Sequence, residues 1–190
     1  MTRTARILLA ASFLALFPLG LLGPIYAIFV KDIGGDVLEA GASFAIFSIL
    51  SGIFIFLLGR WKFFQKHLNT FVVIGYSLLT VGQLGYLWVD STLKLFIIQA
   101  ILGIAGGILE PSWDGLYSAN LTAEKAAHVW SNWAGGRDLI GGIGALVGGV
   151  IVAAYSFTAL FIVMAIFNVT AVSVSLNLLK DRTKVSGLNK

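Results

Sequence analysis

Leu95-Phe96-Ile97-Ile98-Gln99-Ala100-Ile101-Leu102-Gly103-Ile104-Ala105-Gly106-Gly107-Ile108-Leu109-Glu110-Pro111-Ser112-Trp113 holds one ionisable residue in nineteen. As a helix at 1.5 Å per residue it is about 28 Å long, the thickness of a bilayer's hydrocarbon core. Five more apolar stretches flank it, at residues 7–30, 41–59, 71–89, about 134–155 and 158–179. Strands of a lipid-facing barrel would be about ten residues long and would alternate in polarity. These runs are continuous and about twice that length, so the expected architecture is all-α with six membrane spans.

The whole composition agrees. Of 190 residues, 58% are hydrophobic and 12% charged, against about 25% charged in an ordinary soluble domain, and the mean hydropathy is +0.92. So few charges cannot cover the surface of a soluble domain. Soluble enzymes, nucleic-acid binders and disordered chains are thereby excluded, and the net charge of +4 is read as a topology signal instead. With the N-terminus inside, eleven of the thirteen Lys and Arg residues fall on cytoplasmic segments, including Arg60, Lys62, Lys66, Lys125 and Arg137, and two, Lys31 and Lys94, fall outside. The positive-inside rule then puts both termini in the cytoplasm. The first stretch follows Arg3 and Arg6 but runs for 24 residues, longer than the 7–15 of a signal-peptide core, so it is read as a retained span. All five Trp residues lie near span ends, where an interfacial belt is expected. Residues 114–133 form the longest gap and are the one place with room for separate structure.

An internal echo divides the chain in two. Gly20-Leu21-Leu22-Gly23-Pro24-Ile25-Tyr26 and Gly107-Ile108-Leu109-Glu110-Pro111-Ser112-Trp113 both read G-x-L-x-P-x-aromatic, 87 residues apart. The first lies on an outward span and the second on an inward one, which makes a 3+3 inverted repeat (about 7–89 and 95–179, with a cytoplasmic tail at 180–190) in one six-helix domain over 1–190. Inverted repeats of this kind are a transporter signature. Pro24 and Pro111 each free a backbone carbonyl near a span end, which a water-filled cavity can satisfy. Pro18, nearer mid-span, is expected to kink the first helix.

Gln99 to Gly107 with Pro111 and Tyr117 resembles the fourth helix of the major facilitator superfamily. Leu121-Thr122-Ala123-Glu124-Lys125 resembles the short loop that follows it there. Gly144-Ala145-Leu146-Val147-Gly148-Gly149 resembles the glycine-rich fifth helix, with Ala145 where many members have Pro. One departure lies in Gly59-Arg60-Trp61-Lys62-Phe63-Phe64-Gln65-Lys66, which keeps the Gly and the positive charge of the family's loop motif but lacks its acid. The family normally has twelve helices in two homologous halves, and this chain matches one half. The resemblance implies a small-solute transporter of the cell membrane working by alternating access, not an enzyme, with a cavity lined by helices one, two, four and five. It also implies that helices two and five meet their counterparts in another half.

Ionisable groups inside a membrane are costly and mark function. Glu110 would sit roughly 22 Å into span four at 1.5 Å per residue, and Asp114 follows one turn later on the same face. Proton coupling through Glu110 is the functional expectation. Asp114, Arg137 and Asp138 are read as gating or ion-pair groups, with Arg137 placed to reach either acid. Tyr26, Gln99, Glu110 and Trp113 are the cavity candidates. Tyr76, Thr80 and Gln83 on one face of span three, and Asn168, Thr170, Ser173 and Asn177 on span six, suit interhelical hydrogen bonding. Small residues at Gly41, Ala45, Ser48 and Gly52, and at Gly141, Ala145 and Gly149 with Gly144 and Gly148 beside them, allow close helix approach; packing of span two of one copy on span five of another would make a homodimer, and packing within one copy is the alternative.

The chain has no Cys and its two His residues, His67 and His128, lie in loops, so no metal or cofactor is expected. Gly142-x-Gly144 lacks the strand and third glycine of a dinucleotide loop, and Thr80-Val81-Gly82-Gln83 lies in a full span instead of a re-entrant filter. The expected partners are the lipid bilayer, a small solute, protons and a second copy, with no nucleic acid. Two other readings stay open: a non-transporting six-helix interaction module, and one subunit or fragment of a split transporter, for which Lys180-Asp181-Arg182-Thr183-Lys184 would suit the start of a central loop.

Overall fold

Each apolar stretch is a helix in the computed structural model, which describes residues 2–122 and 126–180. Six helices are long and apolar enough to cross a membrane: α1 (Arg3–Asp32), α2 (Val37–Gly59), α3 (Leu68–Trp88), α4 (Thr92–Ser118), α5 (Ala126–Ala154) and α6 (Phe157–Leu179). No strand occurs among the described residues. Of the residues used above, Ala123, Glu124, Lys125 and the tail beyond Lys180 lie outside those described.

Local chemistry sets the helix ends. Thr2 caps α1 by accepting from the Ala5 amide. Gly34, at φ 85°, takes the left-handed turn that lets α1 reverse into α2. Asp36 then closes a capping box: its carboxylate accepts from the Leu38 and Glu39 amides, while Glu39 accepts from the Asp36 amide. The Glu39 side chain and those two amides hold the Asp36 carboxyl below its usual pKa. On the neighbouring α3–α4 connection Asp90 pairs with Lys94 at 2.6 Å, in the first turn of α4, and that contact lowers the Asp90 pKa.

Helix α1 runs through Pro18 without a break and is interrupted instead at Pro24, where Gly23–Ile25 tightens to a 3₁₀ turn. Pro111 stays inside the continuous helix of α4. Residues 114–133 hold no separate element among those described: α4 extends to Ser118 and α5 starts at Ala126. Asp114 and Ser118 end the apolar run without ending the helix, which continues through both.

Packing follows a regular scheme. Helix α4 lies against α2 and α3, α1 lies against α5 and α6, and α3 lies against α6. Exchanging α1 with α4, α2 with α5 and α3 with α6 reproduces these main contacts, while the smaller α5–α6 and α1–α2 contacts have no counterpart of the same size. Glycines make the two tightest seams. A Cβ on Gly144 would come 2.9 Å from the Phe17 carbonyl oxygen, and one on Gly148 would collide with that of Leu21. On the other seam a Cβ on Gly103 or Gly107 would lie 2.5 or 2.7 Å from the carbonyls of Phe47 and Ser51. Both seams are backbone against backbone, as small-residue stripes allow. Helices α2 and α5 are the least buried of the six, and side chains such as Phe44, Phe56, Leu146 and Val150 point outward, as lipid or a second bundle would require.

The polar face of α3 is buried against α6. Asn168 donates to Gln83 Oε1 at 2.6 Å and to the Met164 carbonyl at 2.8 Å, and Thr80 reaches both the Tyr76 and Asn168 carbonyls. Thr170 and Ser173 are exposed and bond back to their own helix. Gln83 Nε2 and Asn168 Oδ1 have no partner, so this contact is only half satisfied. Replacing Asn168 by Leu is therefore expected to cost about 1 kcal/mol, the scale of an interhelical hydrogen bond in a membrane. Gln83→Leu with Asn168→Leu should cost less than the sum of the two, because removing both partners leaves no orphan. Detergent-denaturation midpoints for the four members of this double-mutant cycle check it, and strict additivity would contradict the coupling.

Candidate functional site: a carboxylate and indole cavity

Helices α1 and α4 touch each other little, and the gap between them is a cavity of about 460 Å³. Its α1 wall is Ser12, Ala15, Leu16 and Leu19, and its α4 wall runs from Gly106 to Asp114. Tyr76 and Leu79 of α3 form the floor, and Trp130, Trp133 and Arg137 of α5 close the end. Within this single bundle helix α3 closes the cavity. Helix α2 is held behind α4 by the Gly103 and Gly107 seam, so α3 fills the space that opens between α1 and α4.

The cavity gathers four of the candidates read from the sequence: Glu110, Trp113, Asp114 and Arg137. Glu110 and Asp114 stand one turn apart on the exposed side of α4. Arg137 makes its ion pair with its neighbour Asp138, Nε to Oδ1 at 3.0 Å, instead of reaching across to either acid. Ser12 and Tyr76 are buried and hydrogen-bonded to each other at 2.8 Å.

Three of the five tryptophans turn inward and do not join a belt. Trp113 stacks on Tyr117 with centroids 4.5 Å apart and lies 4.5 Å from Trp133 and 6.3 Å from Trp130. Trp133 also stacks on Phe13 of α1 at 5.6 Å. That approach depends on Gly136, where a Cβ would meet the Phe13 ring at 2.7 Å. Trp113 is 5% exposed, and its buried indole N–H lies beside the Tyr76 hydroxyl without a well-formed hydrogen bond. Trp61 and Trp88 remain exposed at span ends, as the belt reading expected. Trp130 and Trp133 lie three residues apart and so share one face of α5; that spacing was the signal available in the sequence for this cluster.

Tyr26 and Gln99 lie elsewhere. Gln99 Nε2 donates to Tyr26 Oη at 2.6 Å and to Tyr86 Oη at 3.2 Å. Tyr26 Oη meets Ser43 Oγ at 2.6 Å, and Ser43 spends its proton on the Ala40 carbonyl at 2.8 Å, so Tyr26 is the donor. This network ties α1, α2, α3 and α4 together in the half of the bundle away from the carboxylates. Among the interface candidates, Gly41, Gly52, Gly141 and Gly149 each look into open space where a Cβ would stand, and Ala45 and Ser48 are exposed.

The family model described as Major Facilitator Superfamily matches residues 8–190. Among curated proteins the chain is 26% identical over 153 residues to a multidrug resistance protein, MdtG, of Serratia proteamaculans, covering 77% of this chain and 36% of that protein. It is 27% identical over 154 residues to MdtG of Escherichia coli O9:H4, covering 77% and 37%. With MdtG of Klebsiella pneumoniae the identity is 28% over 167 residues, covering 83% and 40%. The chain thus spans well under half the length of these relatives.

Proposed function

Because this chain belongs to the Major Facilitator Superfamily, we propose that it is one six-helix half of a transporter that moves a small solute by alternating access. The observation that carries the reading is the cavity between α1 and α4, with Glu110 and Asp114 on its open side. The exchange relation between α1–α3 and α4–α6 supports a 3+3 inverted repeat, and in such folds the site lies where the repeats meet. In the proposed orientation the end bearing Arg3, Arg6, Arg60, Lys62 and Lys66 faces the cytoplasm, so the cavity occupies the cytoplasmic half and the Gln99 network closes the outer half. Glu110 couples the cycle to protons, with Asp114, Arg137 and Asp138 as the surrounding charge set. The printed name of the relatives, multidrug resistance protein, makes drug-like compounds the first solutes to assay.

The second half is a second copy, docked through the open stripes on α2 and α5. Gly144 and Gly148 are already used against α1, and Gly141 meets Gly20 there through its backbone while the direction a Cβ would take stays open, which leaves Ala145 and Gly149 as the main groups for that contact. The chain has no Cys, so single cysteines at Ser48 and Gly149 test the interface without background. Co-expressed S48C and G149C copies should crosslink in the membrane, and proteoliposomes should take up solute. If neither pairing crosslinks and no solute moves, the reading falls and a six-helix interaction module takes its place.

A further inference from the structure

The chemistry lining the cavity selects among solutes. We propose that it binds an amphipathic organic cation, held with its charge at Glu110 and Asp114 and its apolar body against the indoles of Trp113, Trp130 and Trp133. As a statement about cargo this rests on the transport reading above; as a statement about binding it stands on the cavity alone.

Charge is the first ground. The wall carries two carboxylates and one guanidinium, and that guanidinium already pairs with Asp138 at 3.0 Å. An anionic solute would meet two uncompensated acids, whereas a cation would relieve the repulsion between carboxylates one turn apart. The aromatic rings are the second ground. Indole is the strongest cation–π partner among side chains, and Trp130 and Trp133 both lie within 6.3 Å of Trp113. The third ground is the buried Trp113 N–H, which lies beside the Tyr76 hydroxyl without closing a well-formed hydrogen bond to it. A donor so poorly met at a cavity wall is costly, and a ligand carrying an ether, carbonyl or other acceptor beside its cationic centre would satisfy it.

Competing ligands fit less well. No group of three or more His, Cys, Asp or Glu able to hold a metal occurs among the described residues. A hard divalent ion would want six or more oxygens and would gain little from Leu16, Leu19, Leu79 and Leu109. A sugar-like neutral solute would need several convergent hydrogen-bonding groups, but Ser12 and Tyr76 are engaged with each other. The volume of about 460 Å³ falls within the usual range for drug-sized ligands.

A pair of ions matched in shape separates charge from greasiness. The full chain in lipid nanodiscs is titrated with tetraphenylphosphonium and with tetraphenylborate, following tryptophan fluorescence, with empty nanodiscs as the partition baseline. Saturable quenching by the phosphonium and none by the borate is expected. Glu110→Gln with Asp114→Asn should weaken phosphonium binding at least tenfold without changing the helical signal or the melting temperature. Trp133→Leu should weaken it several-fold. Equal quenching by both ions, or phosphonium affinity unchanged in the double carboxylate variant, overturns the inference. Uptake assays on the same protein keep the two readings apart. Flux of a neutral or anionic solute without phosphonium binding removes this inference and leaves transport standing. Saturable, carboxylate-dependent phosphonium binding without any flux supports the inference while counting against transport.

Discussion

Replacing Gly148 with Val will prevent the six-helix bundle from forming as a monodisperse species, and even Gly148→Ala will destabilise it strongly. A Cβ at this position collides with the Leu21 carbonyl oxygen and comes within 2.7 and 2.8 Å of the Leu21 carbonyl carbon and Cα. Overpacking a core of side chains costs about 1–3 kcal/mol because rotamers can yield. Here the neighbour is helical backbone, so α1 and α5 must separate along their whole seam, and the loss should exceed about 3 kcal/mol, the top of that range. Gly142 gives the matched control. It lies on the same helix with nothing near its would-be Cβ, so Gly142→Ala should be neutral or stabilise by up to about 1 kcal/mol through helix propensity. Size-exclusion profiles and thermal unfolding in one detergent compare the two. If Gly148→Ala behaves like Gly142→Ala, the close α1–α5 seam is wrong.

That seam also shows where reading the sequence ran out. Six spans were legible because lipid demands about 20 apolar residues in each, a signal that needs no knowledge of neighbours. The small-residue stripes were legible for the same reason. Which stripe faces inward was not: Gly144 and Gly148 are buried on α1, Gly141 touches Gly20 of α1 through its backbone, and Gly149 looks outward. Those faces lie on one helix, and only the position of α1 distinguishes them. Glu110 and Asp114 stood out through the cost of intramembrane charge. The tryptophan cluster did not, since a belt and an inward cluster both place indoles near span ends. Phe13 and Gly136 decide the matter, and they belong to helices α1 and α5, more than a hundred residues apart. Tyr26 and Gln99 read as cavity candidates from the sequence, whereas in the structure they bond to each other, Ser43 and Tyr86 away from the carboxylates.

The largest functional effect is expected from Glu110→Gln: loss of flux driven by a pH gradient, with the folded bundle unchanged. Gln keeps the size and shape of Glu but cannot lose a proton, so it fixes this position in the neutral state. Glu110 lies on the exposed side of α4, where removing its charge breaks no ion pair of the described structure. The groups around it are Asp114 on the same helix, Arg137 on α5 with its Asp138 partner, and Tyr76 on α3. On the proposed reading a proton and a cationic cargo compete for the same two carboxylates, so tetraphenylphosphonium affinity is expected to fall as pH falls. Once protonation limits binding, the dependence approaches tenfold per pH unit for one competing site. In Glu110→Gln that dependence should flatten to whatever Asp114 alone contributes. Movement of solute down its own gradient should persist, because alternating access does not itself require the titrating group. Flux into proteoliposomes with and without an imposed pH gradient separates the two modes. Gradient-driven flux that survives the substitution would place the coupling group elsewhere, and Asp114 would be the next carboxylate to test.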